Sequence, residues 1–290
     1  MSAKETELPQ SSTAGNAAPS PKRSDLKPRL LAGVAMALVA VGITYSGAVP
    51  FAAMVGIVAL VMCWEWGRMV RGDELGIAFP LHLIAVAAAT ALAAAGMMRE
   101  ALFAVGVGAI VVLALAGRHR LMSAAGVIYV GLPVVALIWF RNDSRLGLEA
   151  VLFLFLVIWT SDIAAFASGR TFGGPKLWPR VSPNKTWSGF IGGITASALV
   201  GAMVAQFVAG ASSAELGATG LVLALIAQMG DLAESALKRS FGVKDSSAII
   251  PGHGGVMDRA DSTVAVSVAA AIFALLWNAA SPAAALLIGG

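Results

Sequence analysis

Charge is what this sequence has least of. Asp, Glu, Lys and Arg make up 12% of its 290 residues, while 58% are hydrophobic; ordinary soluble domains carry about 25% charged residues. A soluble fold of this length needs far more polar surface, so the deficit excludes one. Cysteine is nearly absent too. Cys63 stands alone, no internal disulfide can form, and a disulfide scaffold is excluded. No internal repeat is visible, which counts against a transporter assembled from inverted repeats. The formal charge of +4 does not argue for nucleic acid, because the basic residues fall between apolar runs instead of forming one face.

What is present is a succession of apolar runs. Residues 1–28 hold Ser, Pro, Ala, Lys and Glu with almost nothing large and apolar. Such a segment cannot bury enough surface to offset its ordering entropy and is expected to be a disordered cytoplasmic tail. Lys22, Arg23, Lys27 and Arg29 then precede an apolar run in the manner of a signal peptide, but the many spans that follow favour an uncleaved first helix. Crossing a bilayer takes about 20 apolar residues. Candidate spans are 30–49, 51–66, 77–96, 101–117, 122–140, 148–168, 187–210, 216–237 and 263–288. The expected fold is all-α: a polytopic transmembrane helix bundle of about nine spans, with Pro50 joining the first two as a tight hairpin. Residues 29–147 form its N-terminal transmembrane part and 148–290 the part that carries polar loops. With the N-terminus in the cytoplasm and the spans alternating, only Arg99, Arg141 and Arg145 fall outside, leaving 17 of the 20 Lys and Arg residues inside. The positive-inside rule then gives N-in, C-out. Trp64, Trp66 and Trp187, near span ends, are read as interfacial anchors.

Two cytoplasmic loops, 169–186 and 238–261, exceed the others in length and are rich in Gly, Pro, Lys and Arg. Loops this long are functional or disordered. Acids beside them favour function. Asp162 lies eight residues before Arg170, about 12 Å along a helix, and Asp231 seven before Lys238, about 10 Å. A carboxylate at mid-bilayer costs about 2.5–3.5 kcal/mol on insertion scales, so a divalent cation or a basic partner must compensate; a plain structural ion pair is the simpler alternative. Gln228, Asp231, Ser235 and Lys238 recur at i, i+3, i+7 and i+10, one helical face, with Glu234 beside it. That stripe is read as a lined cavity over an interhelical hydrogen-bonded seam. In the second loop, Gly252, Gly254 and Gly255 flank His253, and Asp258-Arg259 precedes Asp261-Ser262. Glycines free backbone amides to approach an anion and cations complement phosphate, while Asp261 or Ser262 would equally serve as N-cap of the last helix. In the first loop, Ser182 or Thr186 would cap the seventh helix, whose N-terminus is a ready anion site.

Taken together, Ser235-Ala236-Leu237-Lys238-Arg239, Lys244-Asp245 and Pro251-Gly252-His253-Gly254-Gly255-Val256-Met257-Asp258-Arg259-Ala260-Asp261 resemble, without a gap, the signature of the phosphatidate cytidylyltransferases, the CDP-diacylglycerol synthases. Ser161-Asp162, Gly169-Arg170-Phe172-Gly173 and Ser182-Pro183-Asn184-Lys185-Thr186 are similar to that family's other motif stretch. The resemblance is strong from about residue 158 to 262; the earlier spans resemble the family only in being hydrophobic. Ser188 stands where the family usually has an acid, and Phe166 where it often has Tyr. The resemblance implies a membrane nucleotidyltransferase that converts CTP and phosphatidic acid to CDP-diacylglycerol and pyrophosphate with Mg²⁺, and leaves a second cation and a homodimer open. It implies Asp231 and Asp258 as metal ligands, acting with Lys238, Arg259 and His253 in catalysis. Lys185, Ser182, Arg239, Lys244, Asp245, Asp162 and Asp261 are the implied substrate contacts, with an apolar groove between the sixth, eighth and ninth spans for the acyl chains. The site would face the cytoplasm from a bacterial inner membrane. The rival readings are a CTP-dependent polyprenol kinase and, from another class, a cation-coupled transporter, for which long Gly-rich cytoplasmic loops are not needed.

Overall fold

The computed structural model describes residues 26–74, 76–250 and 254–289, so most of the tail and His253 lie outside the described residues. The elements are α1 (Leu26–Ser46), α2 (Ala48–Arg71), α3 (Ala78–Ala94), α4 (Met98–Leu115), α5 (Arg120–Arg141), α6 (Gly147–Phe172), β1 (Lys176–Trp178), β2 (Ser182–Thr186), α7 (Trp187–Val204), α8 (Ser213–Ser240), α9 (Met257–Trp277) and α10 (Pro282–Ile288). Seven of them, α2 and α4 to α9, are long and apolar enough to cross a membrane by length and composition; the apolar helices at the positions of α1 and α3 are shorter. The helical membrane bundle expected from the sequence is therefore the observed architecture.

Several boundaries depart from expectation. The join between the first two helices is Gly47, at φ 128°, whereas Pro50 sits inside the first turn of α2, where its missing N–H has no helical partner to lose. The run 263–288 is two helices: α9 stops at Trp277, Asn278 Oδ1 accepts the amides of Ala280 and Ser281, and Pro282 opens α10, the first-turn position proline favours. Asp143, between α5 and α6, holds α10 through Ser281 Oγ at 2.8 Å and Ala283 N at 3.1 Å. Burial pushes the Asp143 carboxyl up, but these bonds and the amides of Arg145 and Leu146 outweigh it and hold it below the usual carboxylate range. The bundle is not wholly helical either. The first loop carries an antiparallel pair, with Lys176 opposite Thr186 and Trp178 opposite Ser182.

Helices α2 to α5 pack among themselves, α6 to α9 pack in sequence, and α5 and α2 reach across to α9. Small residues set the spacing in the second group. A Cβ on Gly193 would stand 2.8 Å from the Ser161 carbonyl oxygen of α6, and one on Gly220 2.6 Å from the Ser197 carbonyl oxygen of α7. Without side chains there, the three backbones approach closely, the contact mode apolar helices use in lipid. That packing brings the C-terminal ends of α6 and α8 and the N-terminal end of α9 together beside the two loops.

Candidate active site

Lys238 is the hinge of the site. It is buried in the last turns of α8, and its Nζ lies 3.0 Å from Glu234 Oε1 and 2.6 Å from Asp258 Oδ1. Glu234 Oε2 accepts Tyr129 OH of α5 at 2.5 Å, and Trp66 of α2 packs over that tyrosine with ring centroids 4.9 Å apart. A lone buried cation would be costly; this one has two carboxylates, so the cost is offset. Asp258 is saturated. Oδ1 also accepts Ser246 N at 3.2 Å, and Oδ2 accepts Ser246 N at 3.0 Å and Gly255 N at 2.7 Å. The glycines of the second loop thus approach an anion closely as expected, but the anion is the protein's own: a Cβ on Gly254, which has φ +80°, would meet Asp258 Oδ2 at 2.7 Å.

Asp231 is held differently. Its Oδ2 lies 2.5 Å from Lys185 Nζ, delivered by β2, and among the described residues its Oδ1 accepts only Ser235 Oγ, at 3.3 Å. Lys185 Nζ is closed off from solvent and makes that ion pair without a well-aligned hydrogen bond. Asp162, Asp231 and Asp261 lie within electrostatic reach of one another, with Lys185 and Arg259 beside Asp162. Asp162 and Arg259 are exposed and Asp231 and Asp261 half-buried, so this group of three carboxylates and two cations reaches the surface of the bundle. Among the described residues no three carboxylate, imidazole or thiol groups are already drawn together at ligand distance. Among the described residues Asp231 and Asp258 share no partner: each has its own lysine.

The polar stripe of α8 does line the site from Asp231 to Lys238, while Gln228 turns away to the Phe190 carbonyl at 3.1 Å. Thr186, not Ser182, caps α7, accepting Gly189 N at 3.1 Å; Ser182 pairs in the hairpin. Neither Asp261 nor Ser262 caps α9, which starts at Met257 and so shortens the second loop. Arg239 donates to the Val243 carbonyl at 3.4 Å, and Lys244 and Asp245 are exposed on the loop. An apolar groove is present at the N-terminal helices. About 620 Å³ in volume, it runs between α2 and α3, lined by Ile57, Leu60, Trp64, Phe79 and Leu83, with Ile249 of the second loop in its wall. Trp66 is no interfacial anchor but buried, donating to the Met122 carbonyl at 2.8 Å.

A model of the cytidylyltransferase family matches residues 27–277, nearly the whole described chain. The chain belongs to the cytidylyltransferase family. Among curated relatives, a phosphatidate cytidylyltransferase of Brucella suis is 36% identical over 256 residues, 88% of this chain and 95% of that protein. One of Staphylococcus epidermidis is 45% identical over 150 residues, half of this chain and 56% of that protein. The likeness to the Brucella protein extends through the N-terminal helices, beyond the motif region that the sequence reading relied on. Those helices supply what that reading missed: Tyr129, and Glu65 of α2, which is fully buried and binds the second loop. The signal was available. Glu65 is an acid inside an apolar run, but it sits next to Trp66 at the run's edge, where an acid draws no notice.

Proposed function

We propose that the chain is a phosphatidate cytidylyltransferase that joins CTP to phosphatidic acid, giving CDP-diacylglycerol and pyrophosphate. A lipid phosphate oxygen attacks the α-phosphorus of CTP, the bond from that phosphorus to the bridging oxygen breaks, and pyrophosphate leaves. The nucleophile is already ionised, so no strong general base is required. Both substrates are highly anionic, and catalysis is mainly positioning and charge neutralisation. The observation that carries this reading is the charged group at the ends of α6, α8 and α9, where Lys185 and Arg259 stand beside Asp162, Asp231 and Asp261.

Carboxylate oxygens are the donors Mg²⁺ takes, and Asp231 is the acid best placed to offer one, since among the described residues its Oδ1 has only the Ser235 hydroxyl as partner; Asp162 and Asp261 lie within electrostatic reach of it but not at ligand distance, and would have to draw in around the ion. Asp231, with Asp162 and Asp261, would hold it; Asp258, both oxygens filled by Lys238 and backbone amides, instead shapes the loop. When bound, the ion supplies neutralisation of phosphate charge. Lys185, Lys238, Arg239, Lys244 and Arg259 are assigned to substrate phosphates, Ser182 and Asp245 to the edge of the charged group, and His253 to the leaving pyrophosphate. Lys185 can exchange Asp231 for a phosphate oxygen, since its ammonium has no well-aligned hydrogen bond to give up. The acyl chains would lie in the α2–α3 groove, whose wall includes Ile249 of the same loop that flanks the charged group.

The placement proposed with it is nine spans, N-in and C-out, in a bacterial inner membrane with the charged group on the cytoplasmic side, supported by the split of basic residues. Residues 148–290 then carry the reacting groups and 29–147 support them. Purified protein in detergent, given phosphatidic acid, labelled CTP and Mg²⁺, should release CDP-diacylglycerol and pyrophosphate in equal amounts, and EDTA should stop it. A phosphorylated lipid, or full turnover in EDTA, overturns the reading. The mass of the detergent-solubilised particle decides between monomer and homodimer.

A further inference from the structure

Glu65 reaches the second loop from α2, a helix otherwise described only by its packing and its apolar groove. Its Oε1 accepts Ser247 Oγ at 2.5 Å and Val256 N at 2.8 Å; its Oε2 accepts Ser246 Oγ at 3.2 Å and Met257 N at 2.6 Å. The four donors come in two pairs, one where the loop leaves for its tip and one where it returns to open α9. Asp258 binds the amides of Ser246 and Gly255 from the other side. Two carboxylates therefore clamp one neck, and Gly255 stands between them: a Cβ there would overlap Ser246 Oγ and the Glu65 carboxylate. Burying a carboxylate in an apolar helix is costly unless every acceptor site is used, and here all the bonds go to a single loop.

We propose that Glu65 is a positioning residue of the transfer site: it closes the neck of the 246–257 loop and so sets Asp258 against Lys238. It touches no substrate, since it is wholly buried; it acts through the loop. Its effect on turnover rests on the cytidylyl-transfer reading, whereas its effect on the loop does not. The neck also gives the N-terminal helices a defined part in the site.

Glu65→Gln turns one acceptor oxygen into a donor facing two other donors and opens half of the neck. The closing experiment measures turnover per folded molecule, Tm, and the rate at which trypsin cuts after Lys244, which is exposed at the loop's start. Losing these hydrogen bonds should lower kcat/KM at least about tenfold and speed the cut by a similar factor. Glu65→Asp, which keeps the charge on a shorter arm, should recover part of both. Combining Glu65→Gln with Asp258→Asn should cost little more activity than the worse single change, because residues clamping one neck act as a unit. Should Glu65→Gln not fold, the Ser246→Ala, Ser247→Ala pair removes two donors from the loop side and should give the same two effects, smaller. Unchanged cutting with unchanged turnover overturns the proposal, as does a loss of turnover explained by a lower Tm with the cut no faster in the folded fraction. If the unaltered protein makes no CDP-lipid, the reaction assignment fails, and the trypsin rates alone decide whether Glu65 holds the neck.

Discussion

The two loops that flank the charged group are built on opposite plans. The first satisfies its own backbone. Its strands pair, Trp187 N returns to the Pro175 carbonyl at 3.1 Å, and Thr186 caps the helix that follows. The second has one isolated bridge among its described residues, Ile250 with Gly254, and its neck gives the amides of Ser246, Gly255, Val256 and Met257 and the hydroxyls of Ser246 and Ser247 to Glu65 and Asp258. A self-paired loop carries its shape wherever it is placed, and Lys185 rides on it as a fixed arm. A loop held by acids from other helices has shape only in the assembled bundle, so its residues answer to changes far away in sequence. The consequence for chemistry is direct: Asp231, facing the first loop, keeps acceptor capacity for a ligand, while Asp258, under the second, has given its own to structure.

The widest break in that comparison is Lys238→Ala. It leaves Glu234 and Asp258 buried without their cation, a loss of about 3–5 kcal/mol for a buried pair cut on one side. A steep fall in Tm and loss of activity by at least about a hundredfold should appear together, since 1.4 kcal/mol corresponds to a factor of ten. A normal melting curve with activity near the starting level would mean that Lys238 is not what holds the second loop.

Asp231→Asn and Asp258→Asn sharpen the difference. Each should lower kcat/KM at least about tenfold, but Asp231→Asn should raise the Mg²⁺ requirement with little change in Tm, and Asp258→Asn should lower Tm. Their effects should multiply in the double variant, as for residues that serve separate partners. A double variant no worse than the worse single, with the same Mg²⁺ requirement in all three, would place both acids on one cation.

How much of this was legible follows from the same division. Asp162, Asp231 and Lys238 could be read from the sequence because charges within apolar runs are expensive and helical spacing puts Asp231 and Lys238 on one face. Their partners could not. Lys185 reaches Asp231 only because residues 176–186 fold into a hairpin, where a loop was expected. Glu65 binds groups 181 to 192 residues further along the chain, a separation no local pattern encodes. The family resemblance marked Gly254 and Gly255 but not their reason, which is contact with Asp258 and Glu65. The start of α9 was misplaced because Asp258 and Arg259 look like loop residues, whereas the Asp258 carboxylate accepting Gly255 N makes them the first turn of a helix.

Gly255→Ala and Gly174→Ala compare the loops at one atom's cost. In the second loop the new methyl overlaps the Glu65 carboxylate and Ser246; overpacking of this kind costs about 1–3 kcal/mol. In the first loop Gly174 has φ +99° and open space around it, so the cost is backbone strain, also about 1–3 kcal/mol. Tm should fall similarly in both. Activity should not: about tenfold lower for Gly255→Ala, because the neck shifts Asp258, and less than about threefold for Gly174→Ala, because strain there is absorbed by a hairpin tied at its base. Equal activity losses would erase the distinction between the loops.

The smallest expected effect is at Ser188, where the family usually has an acid. Its hydroxyl donates to the Gly173 carbonyl and lies 3.1 Å from Thr186 Oγ1, so it joins the end of α6 to the start of α7 across the base of the first loop. A carboxylate could not donate that bond, which means the residue found here does a structural job that an ionised acid would not. The rest of the hairpin's bonds do not involve it. Ser188→Ala should therefore remove one net hydrogen bond of about 0.5–1.5 kcal/mol, seen as a Tm lower by a few degrees at most. Lys185 is carried by strand pairing that stays intact, so kcat/KM should remain within about twofold. Ser188→Glu loses the same donor but adds a charge at the first turn of α7, where a helix N-terminus favours it, so its Tm should lie at or above that of Ser188→Ala. A loss of activity in Ser188→Ala as large as that of Asp231→Asn would show that the first loop is not self-supporting after all, and that its arm depends on this one hydroxyl.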